Sequence, residues 1–401
     1  MRSLVSLTAL TVALTAGAAQ AQEVRVKIGV LSDMSSLYSD IGGPGSTAAA
    51  KLAIADFAKS NPNVKVELVS ADHQNKADVG SQVANKWYDA EKVDLIIDVP
   101  NSGVALAVSQ IAAAKNKVFI VSGAAASDLT GAKCNANTVH WTYDTWMLAN
   151  GTGKALVKTG GDTWFFLTAD YAFGHALERD TGAAVEANGG KVLGKVRHPL
   201  NTSDFSSFLL QAQTSKAKVI GLANAGGDTI NSIKAGAEFG IVKGGQKFAG
   251  LLVFASDVAA LGLQTAQGLT LTETWYWDGN DANRAWTKRW QAERPNKFPT
   301  MVQAGVYAGV LHYLKAVAAL KSGADGKAVV AQMKKTPTDD PLFGKGTIES
   351  NGRKRHDAYL FEVKAPSASK YPGDFYTLKA TIPAAEAFRP VKDSGCPLSN
   401  G

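Results

Sequence analysis

Cysteine is scarce in this chain of 401 residues, with Cys134 and Cys396 the whole complement. Two cysteines so far apart cannot build a CxxC metal or redox motif. The histidines, His73, His140, His175, His198, His312 and His356, fall into no HExxH or HxxxH spacing, so a metal centre is not expected. No GxSxG elbow presents a nucleophilic serine. No GxxxxGK[ST] loop or GxGxxG fingerprint cradles a phosphate. Asp339 and Asp340 are adjacent acids, but TPTDDPLFG reads as a turn between prolines rather than a catalytic pair. Enzyme and cofactor readings therefore lack their residues. Past residue 21 no uncharged apolar run reaches the length of a membrane span.

Charge of one sign is not concentrated either. The formal net charge is +7, yet the basic residues sit in short separate groups such as VRVK, KAKV and GRKR. That scatter argues against a nucleic-acid-binding stripe. A mildly positive field attracts small anions.

What is present begins with a leader. Arg2 supplies a positive start, Leu4 to Gly17 an apolar stretch, and Ala19-Gln20-Ala21 a small-residue cleavage pattern. Residues 1–21 read as a secretory signal peptide, with a membrane anchor as the alternative, so the mature chain is expected to be exported. In an oxidising compartment Cys134 and Cys396 form one disulfide, or stay as two buried thiols.

The rest alternates strand-like and helix-like runs. VRVKIGVL, VKVELVSAD, DLIIDVP and VFIVSGA read as strands, each followed by an amphipathic helix. After Trp141 the rhythm repeats with DTWFFLTAD, KVLGKVRHPL, KVIGLANAGG and KFAGLLVFAS. The spacing predicts an α/β fold of two doubly wound lobes with parallel sheets. Lobe 1 takes residues 24–140 plus 272–342, and lobe 2 takes 141–271 plus 343–401. FGKGTIESNGRKRHDAYLFEVK (343–364) reads as a hairpin turned at Asn351-Gly352.

Ligands of open α/β sheets bind beyond the carboxyl ends of the strands. Those ends carry Ser35, Ser36 and Tyr38; Asn101 and Ser102; Ser122, Ala124, Ala125 and Ser127; Tyr171 and Phe173; Asn224 and Asp228; and Ser256 and Asp257. Helices begin directly after them, so backbone N–H groups favour an anion there. Hydroxyls, small residues and aromatics together suit a small organic carboxylate. The same serines and aspartates also serve as helix caps. The pair Gly226-Gly227 reads as a turn, and Tyr171 and Phe173 fit lobe core as well.

Four stretches carry a family resemblance, in order. IGVLSDMSSLYSDIGGPGSTAAAKLAIADF, FIVSGAAASDLTG, ADYAFGHAL and GKGTIESNGRKRHDAYLFEVK resemble the periplasmic solute-binding proteins of ABC importers, in the leucine/isoleucine/valine-binding type. The resemblance implies two lobes joined by three crossover strands and closing on a ligand by hinge bending. It implies that Ser102 and the surroundings of Ala125 and Ser127 hold a ligand carboxylate, and that Phe173 covers it. In amino-acid binders of this family an acid near Ser256-Asp257 meets the α-ammonium. Here Asp257 is one step from that position, and ANAGG lacks the tyrosines of leucine binders. HWTYDTWMLANGTGKAL, with Trp141, Tyr143 and Trp146, resembles the branch that binds aromatic carboxylates. An aromatic acid is thus the expected ligand, with a branched-chain amino acid or amide as the alternative. The implied partner is a membrane permease, with the chain a monomer and no cofactor. An extracellular enzyme or a ligand sensor on the same scaffold is the remaining alternative.

Overall fold

The computed structural model describes residues 23–400. The leader reading over 1–21 lies outside the described residues. Strands β1 (Val24–Ser32), β2 (Val64–Asp72), β3 (Leu95–Asp98), β4 (Val118–Val121) and β5 (Thr138–His140) form one parallel sheet in the order β2-β1-β3-β4-β5. Its helices are α1 (Gly43–Ala58), α2 (Ala77–Asp89) and α3 (Ser102–Ala114). β3 (LIID) and β4 (VFIV) are buried at every position, because helices cover both faces of the sheet.

The chain leaves this lobe after His140. It then builds β6 (Thr163–Ala169), α4 (Ala172–Ala187), β7 (Lys191–His198), α5 (Ser206–Thr214), β8 (Val219–Ala223), α6 (Gly227–Glu238), β9 (Lys247–Ala249), α7 (Ala255–Leu261) and β10 (Thr270–Glu273). A second crossing returns it to the first lobe as α8 (Asp281–Trp290), α9 (Met301–Leu320) and α10 (Gly326–Lys335). The Trp290 indole N–H donates to Gly45 O at 2.9 Å and the Thr300 hydroxyl to Ile41 O at 2.6 Å, which fixes this return. α9 is buried on nearly every side, so its apolar character runs all round the helix.

A small sheet follows: β11 (Thr338–Asp340), β12 (Gly344–Ile348) and β13 (Lys354–Arg355). The third crossing then adds β14 (Ala358–Val363) and β15 (Tyr376–Ile382) to the second lobe, whose sheet runs β15-β14-β10-β9-β8-β6-β7. Three crossings join two doubly wound α/β lobes.

The structure revises four expectations. The second sheet is parallel only through β10, because β14 and β15 enter as an antiparallel pair at its edge. β10 pairs with β9 and β14, so the return to the first lobe comes after Glu273 rather than at 272. Residues 343–355 stay with the first lobe, because β12 pairs with β11 and β13 and His140 N donates to Gly352 O at 2.9 Å. The hairpin therefore ends at Arg355, and Ala358–Val363 belongs to the other lobe. Finally, the strand expected over 247–256 stops at Ala249. A turn closes there through Leu251 N to Ala249 O, and α7 starts at Ala255. Cys134 and Cys396 are joined to each other with Cα atoms 5.7 Å apart, which ties the C-terminal tail to the first lobe.

Candidate ligand-binding site

Asp33, at the end of β1, organises the loop that follows. Its carboxylate accepts from the backbone N–H of Ser36 at 2.9 Å and of Tyr38 at 2.7 Å, and from Asn75 Nδ2 at 2.6 Å. Burial pushes the Asp33 carboxyl upward, but these donors outweigh it and hold the group below its ordinary value. The loop so tied turns Tyr38 inward between the lobes. Ser35 and Ser36 bond to Asp72 and Asp33 instead, so neither faces the cleft.

At the end of β3, Asp98 and Val99 have φ of 88° and 54°. A β-branched valine in the left-handed region is strained, a feature that clusters at functional sites. The kink carries Pro100 to the cleft and sets Asn101 to cap α3, where it accepts from Gly103 N and Val104 N. The Ser102 hydroxyl accepts from Ala125 N at 3.3 Å and Ala126 N at 3.2 Å. Gly123 approaches so closely that a Cβ there would lie 2.7 Å from Pro100 Cα. Behind it, Ala124 O accepts from His140 Nε2 at 2.8 Å. Burial and then the Arg353 charge drive the His140 pKa well down, so the ring is neutral.

The second lobe brings Tyr171 and Phe173, at the start of α4, with ring centroids 5.9 Å apart. Tyr171 Oη lies 2.6 Å from Tyr38 Oη, a hydrogen bond directly across the lobes. Tyr143, in the first crossing, donates its hydroxyl to Gly123 O. Ile41, Leu252 and Ala225 complete the walls of a cleft of about 230 Å³ counting its mouth.

None of the residues lining the cleft carries a charge. Burial raises the pKa of Tyr38, Tyr143 and Tyr171, which keeps all three hydroxyls neutral. Three buried acids outside the lining are raised as well. Burial lifts Asp98 to about 7, against the hydrogen bond from Ser32 at 2.7 Å. It lifts Asp257 to about 7, against the Phe254 N–H. Glu273 is pushed well up by burial although Tyr376 donates to it at 2.9 Å.

The structure thus brings Tyr38, Ala125, Tyr143, Tyr171 and Phe173 together, with Ser102 and Ala124 just behind the wall. It places three other candidates elsewhere. Ser127 donates to Asp180 Oδ2 at 2.6 Å and accepts from Arg179 at 2.8 Å, in a charged junction between the lobes. Asn224 is bonded to His198, Ser232 and Thr229 inside the second lobe. Asp257 accepts from Phe254 N at 3.0 Å and so caps α7. Trp141 packs against His312, and Trp146 lines a separate hollow beside Arg353. Ile41, Pro100, Gly123, Ala225 and Leu252 were not singled out from the sequence. The apolar ones read there as core, and only the strand-end position of Gly123 hinted at the site.

Two α/β lobes meeting over one small uncharged cleft define a hinged ligand-binding protein. The periplasmic binding protein family matches residues 25–370, and the chain belongs to that family. Among curated relatives, the Leu/Ile/Val-binding protein homolog 6 of Brucella melitensis is 26% identical over 94% of this chain and 97% of its own. A periplasmic binding protein from Burkholderia mallei is 53% identical with a TM-score of 0.90, covering 94% of this chain and 99% of that one. A branched-chain amino acid ABC transporter periplasmic ligand-binding protein from Burkholderia xenovorans is 38% identical with a TM-score of 0.82, covering 93% and 100%. The fold is shared with a solute-binding protein of an ABC transporter from Rhodopseudomonas palustris in complex with p-hydroxybenzoic acid. That pair has 23% identity and a TM-score of 0.81 over 90% of this chain and 97% of the other. The chain is a periplasmic solute-binding protein of the ABC-transporter kind. No described helix is long and apolar enough to cross a membrane.

Proposed function

We propose that this protein captures a small aromatic carboxylate between its lobes and delivers it, as a monomer, to the membrane permease of an ABC importer. The observation that carries this reading is the lining of the cleft: four aromatic side chains, three of them neutral tyrosines, and no charged group. A ring stacks on Tyr38, Tyr143, Tyr171 and Phe173. Its carboxylate takes the Ala125 N–H and the Ser102 hydroxyl, which already meet at 3.3 Å. An α-amino acid would also bring an ammonium, and no carboxylate lines the cleft to receive it. The Rhodopseudomonas palustris protein with p-hydroxybenzoic acid supports the reading to the extent that this fold houses such a ring.

The Burkholderia xenovorans protein favours a second reading, a branched-chain amino acid. Titrations of 4-hydroxybenzoate and leucine into Tyr171→Ala and Asp257→Asn separate the two. Loss of a stacking ring and its hydroxyl weakens 4-hydroxybenzoate binding by about tenfold to a hundredfold. Asp257→Asn, which keeps an oxygen for the cap, leaves it unchanged. Leucine binding that disappears with Asp257→Asn overturns the aromatic-acid reading.

A further inference from the structure

Residues 383–396 leave the second lobe and finish on the first. Ile382 ends the edge strand β15, and Cys396 is joined to Cys134, in the segment that leads into β5 of the first lobe. Three crossings already join the lobes. This segment makes a fourth connection, and it is anchored covalently at both ends.

Both lobes grip the segment along its length. From the first, Arg355 of β13 donates to Ala384 O at 3.3 Å and to Arg389 O at 3.0 Å. On the side of the second, Asn150 donates to Glu386 O at 2.8 Å, beside Thr152, whose hydroxyl meets that of Thr272 in β10. Arg389 itself donates to Asp180 Oδ1 of α4 at 3.3 Å. Between these bonds Phe388 is fully buried, with the Arg353 guanidinium 4.6 Å and the His356 ring 5.4 Å from its centroid. Further on, Ser394 O closes on Gly131 of the first lobe, where a Cβ would lie 3.0 Å from it. A slack tail would not hold to two bodies in this way.

Lobe opening acts on these grips directly. When the lobes swing apart, Arg389 follows Asp180 or stays with Arg355, and one of the two contacts is stripped. The disulfide keeps the released groups within a short loop, so the contacts re-form at modest entropic cost. The lobes are closed here, with the Tyr38 and Tyr171 hydroxyls in contact, so the grips belong to the closed form and weight the equilibrium toward it. We propose that residues 383–396 are a strap across the hinge that restrains opening of the unliganded protein. The strap needs no ligand and does not depend on the cleft reading.

The test is amide hydrogen exchange, read by mass spectrometry, on the unliganded chain and two variants: Arg389→Ala, and Cys134→Ser combined with Cys396→Ser. Arg389→Ala keeps the disulfide and decides the matter alone where loss of the bridge unfolds the chain. The expected result in either variant is exchange about threefold or more faster in the peptides carrying Tyr38 and Tyr171, as the open fraction grows, with the central strands β3 and β4 unchanged. Among the described residues neither tyrosine makes a hydrogen bond to the segment, so a loosened tail alone does not produce this pattern. Unchanged exchange at both peptides in every folded variant overturns the strap. A rise that extends equally to β3 and β4 overturns it too, since it reads a general loss of stability.

Discussion

Two of the places where the lobes meet are of opposite character. At one, Tyr38 and Tyr171 touch hydroxyl to hydroxyl across an uncharged aromatic cleft. At the other, Asp180 of α4 takes the hydroxyls of Ser127 and Thr145, each at 2.6 Å, and the guanidinium groups of Arg179 and Arg389. Both junctions hold polar residues from strand ends, and both contained candidates for ligand contact. The difference lies in what an incoming molecule would have to displace. In the cleft it replaces a neutral hydroxyl pair and rests on rings. At Asp180 it would strip several donors from a buried carboxylate, which is costly. On the proposed reading the first junction opens around a ligand, and the second is a clasp.

The sharpest way to break this contrast is Asp180→Ala. It leaves Ser127, Thr145, Arg179 and Arg389 without their shared partner. Loss of a buried ionic partner costs several kcal/mol, but Arg179 is half exposed and its share is screened. A loss of about 2 kcal/mol in denaturant-induced unfolding is expected. An unchanged midpoint would remove the clasp from the account.

Gly226 tests the other junction. It has φ of 57°, and a Cβ there would lie 2.6 Å from Leu37 O on the opposite lobe. Gly226→Val obstructs closure, so affinity for the cleft ligand falls by about tenfold or more as the closed fraction shrinks. Ligand titration reads this directly, and undiminished affinity contradicts the closed arrangement as the binding form.

Protonation sharpens the contrast further. Asp98 and Asp257 are held near 7 by burial, above their ordinary value of 3.8. Below about pH 4 both the folded and unfolded chains carry these protons, and the stabilising contribution is complete. Between about pH 4 and pH 7 the unfolded chain releases them first, so the contribution declines and is lost as pH rises through the folded value. Asp98→Asn, which still accepts from Ser32, flattens part of that decline in melting temperature against pH. An identical slope in the variant rules Asp98 out as its source. The smallest effect belongs to Ser127→Ala, about 1 kcal/mol of stability for its hydrogen bonds to Asp180 and to the half-exposed Arg179. The ratio of affinities between ligands stays the same.

The sequence made the two-lobe α/β fold legible because strand and helix periods alternate so regularly. It also pointed to Tyr38, Tyr143, Tyr171 and Phe173, which line the cleft in the structure, although Tyr171 and Phe173 fitted lobe core equally well. Ser127, Asn224 and Asp257 bond within the protein and do not line the cleft, and the sequence could not show this for a physical reason. A polar residue before a helix bonds equally well to a cap, a neighbouring side chain or a ligand, and only the third dimension decides among them. Asp33 escaped notice because its work is indirect: it positions Tyr38 and never reaches the cleft. Ile41 and Leu252 were hidden by being apolar, the one property that core and cleft share.

The most direct test is a thermal-melt panel on the protein with 4-hydroxybenzoate, benzoate, leucine and isoleucine. A ligand at a hundred times its dissociation constant stabilises the form that binds it by about 2.7 kcal/mol. A clear upward shift is expected with the aromatic acids and none with the amino acids. A shift with leucine or isoleucine alone would contradict it.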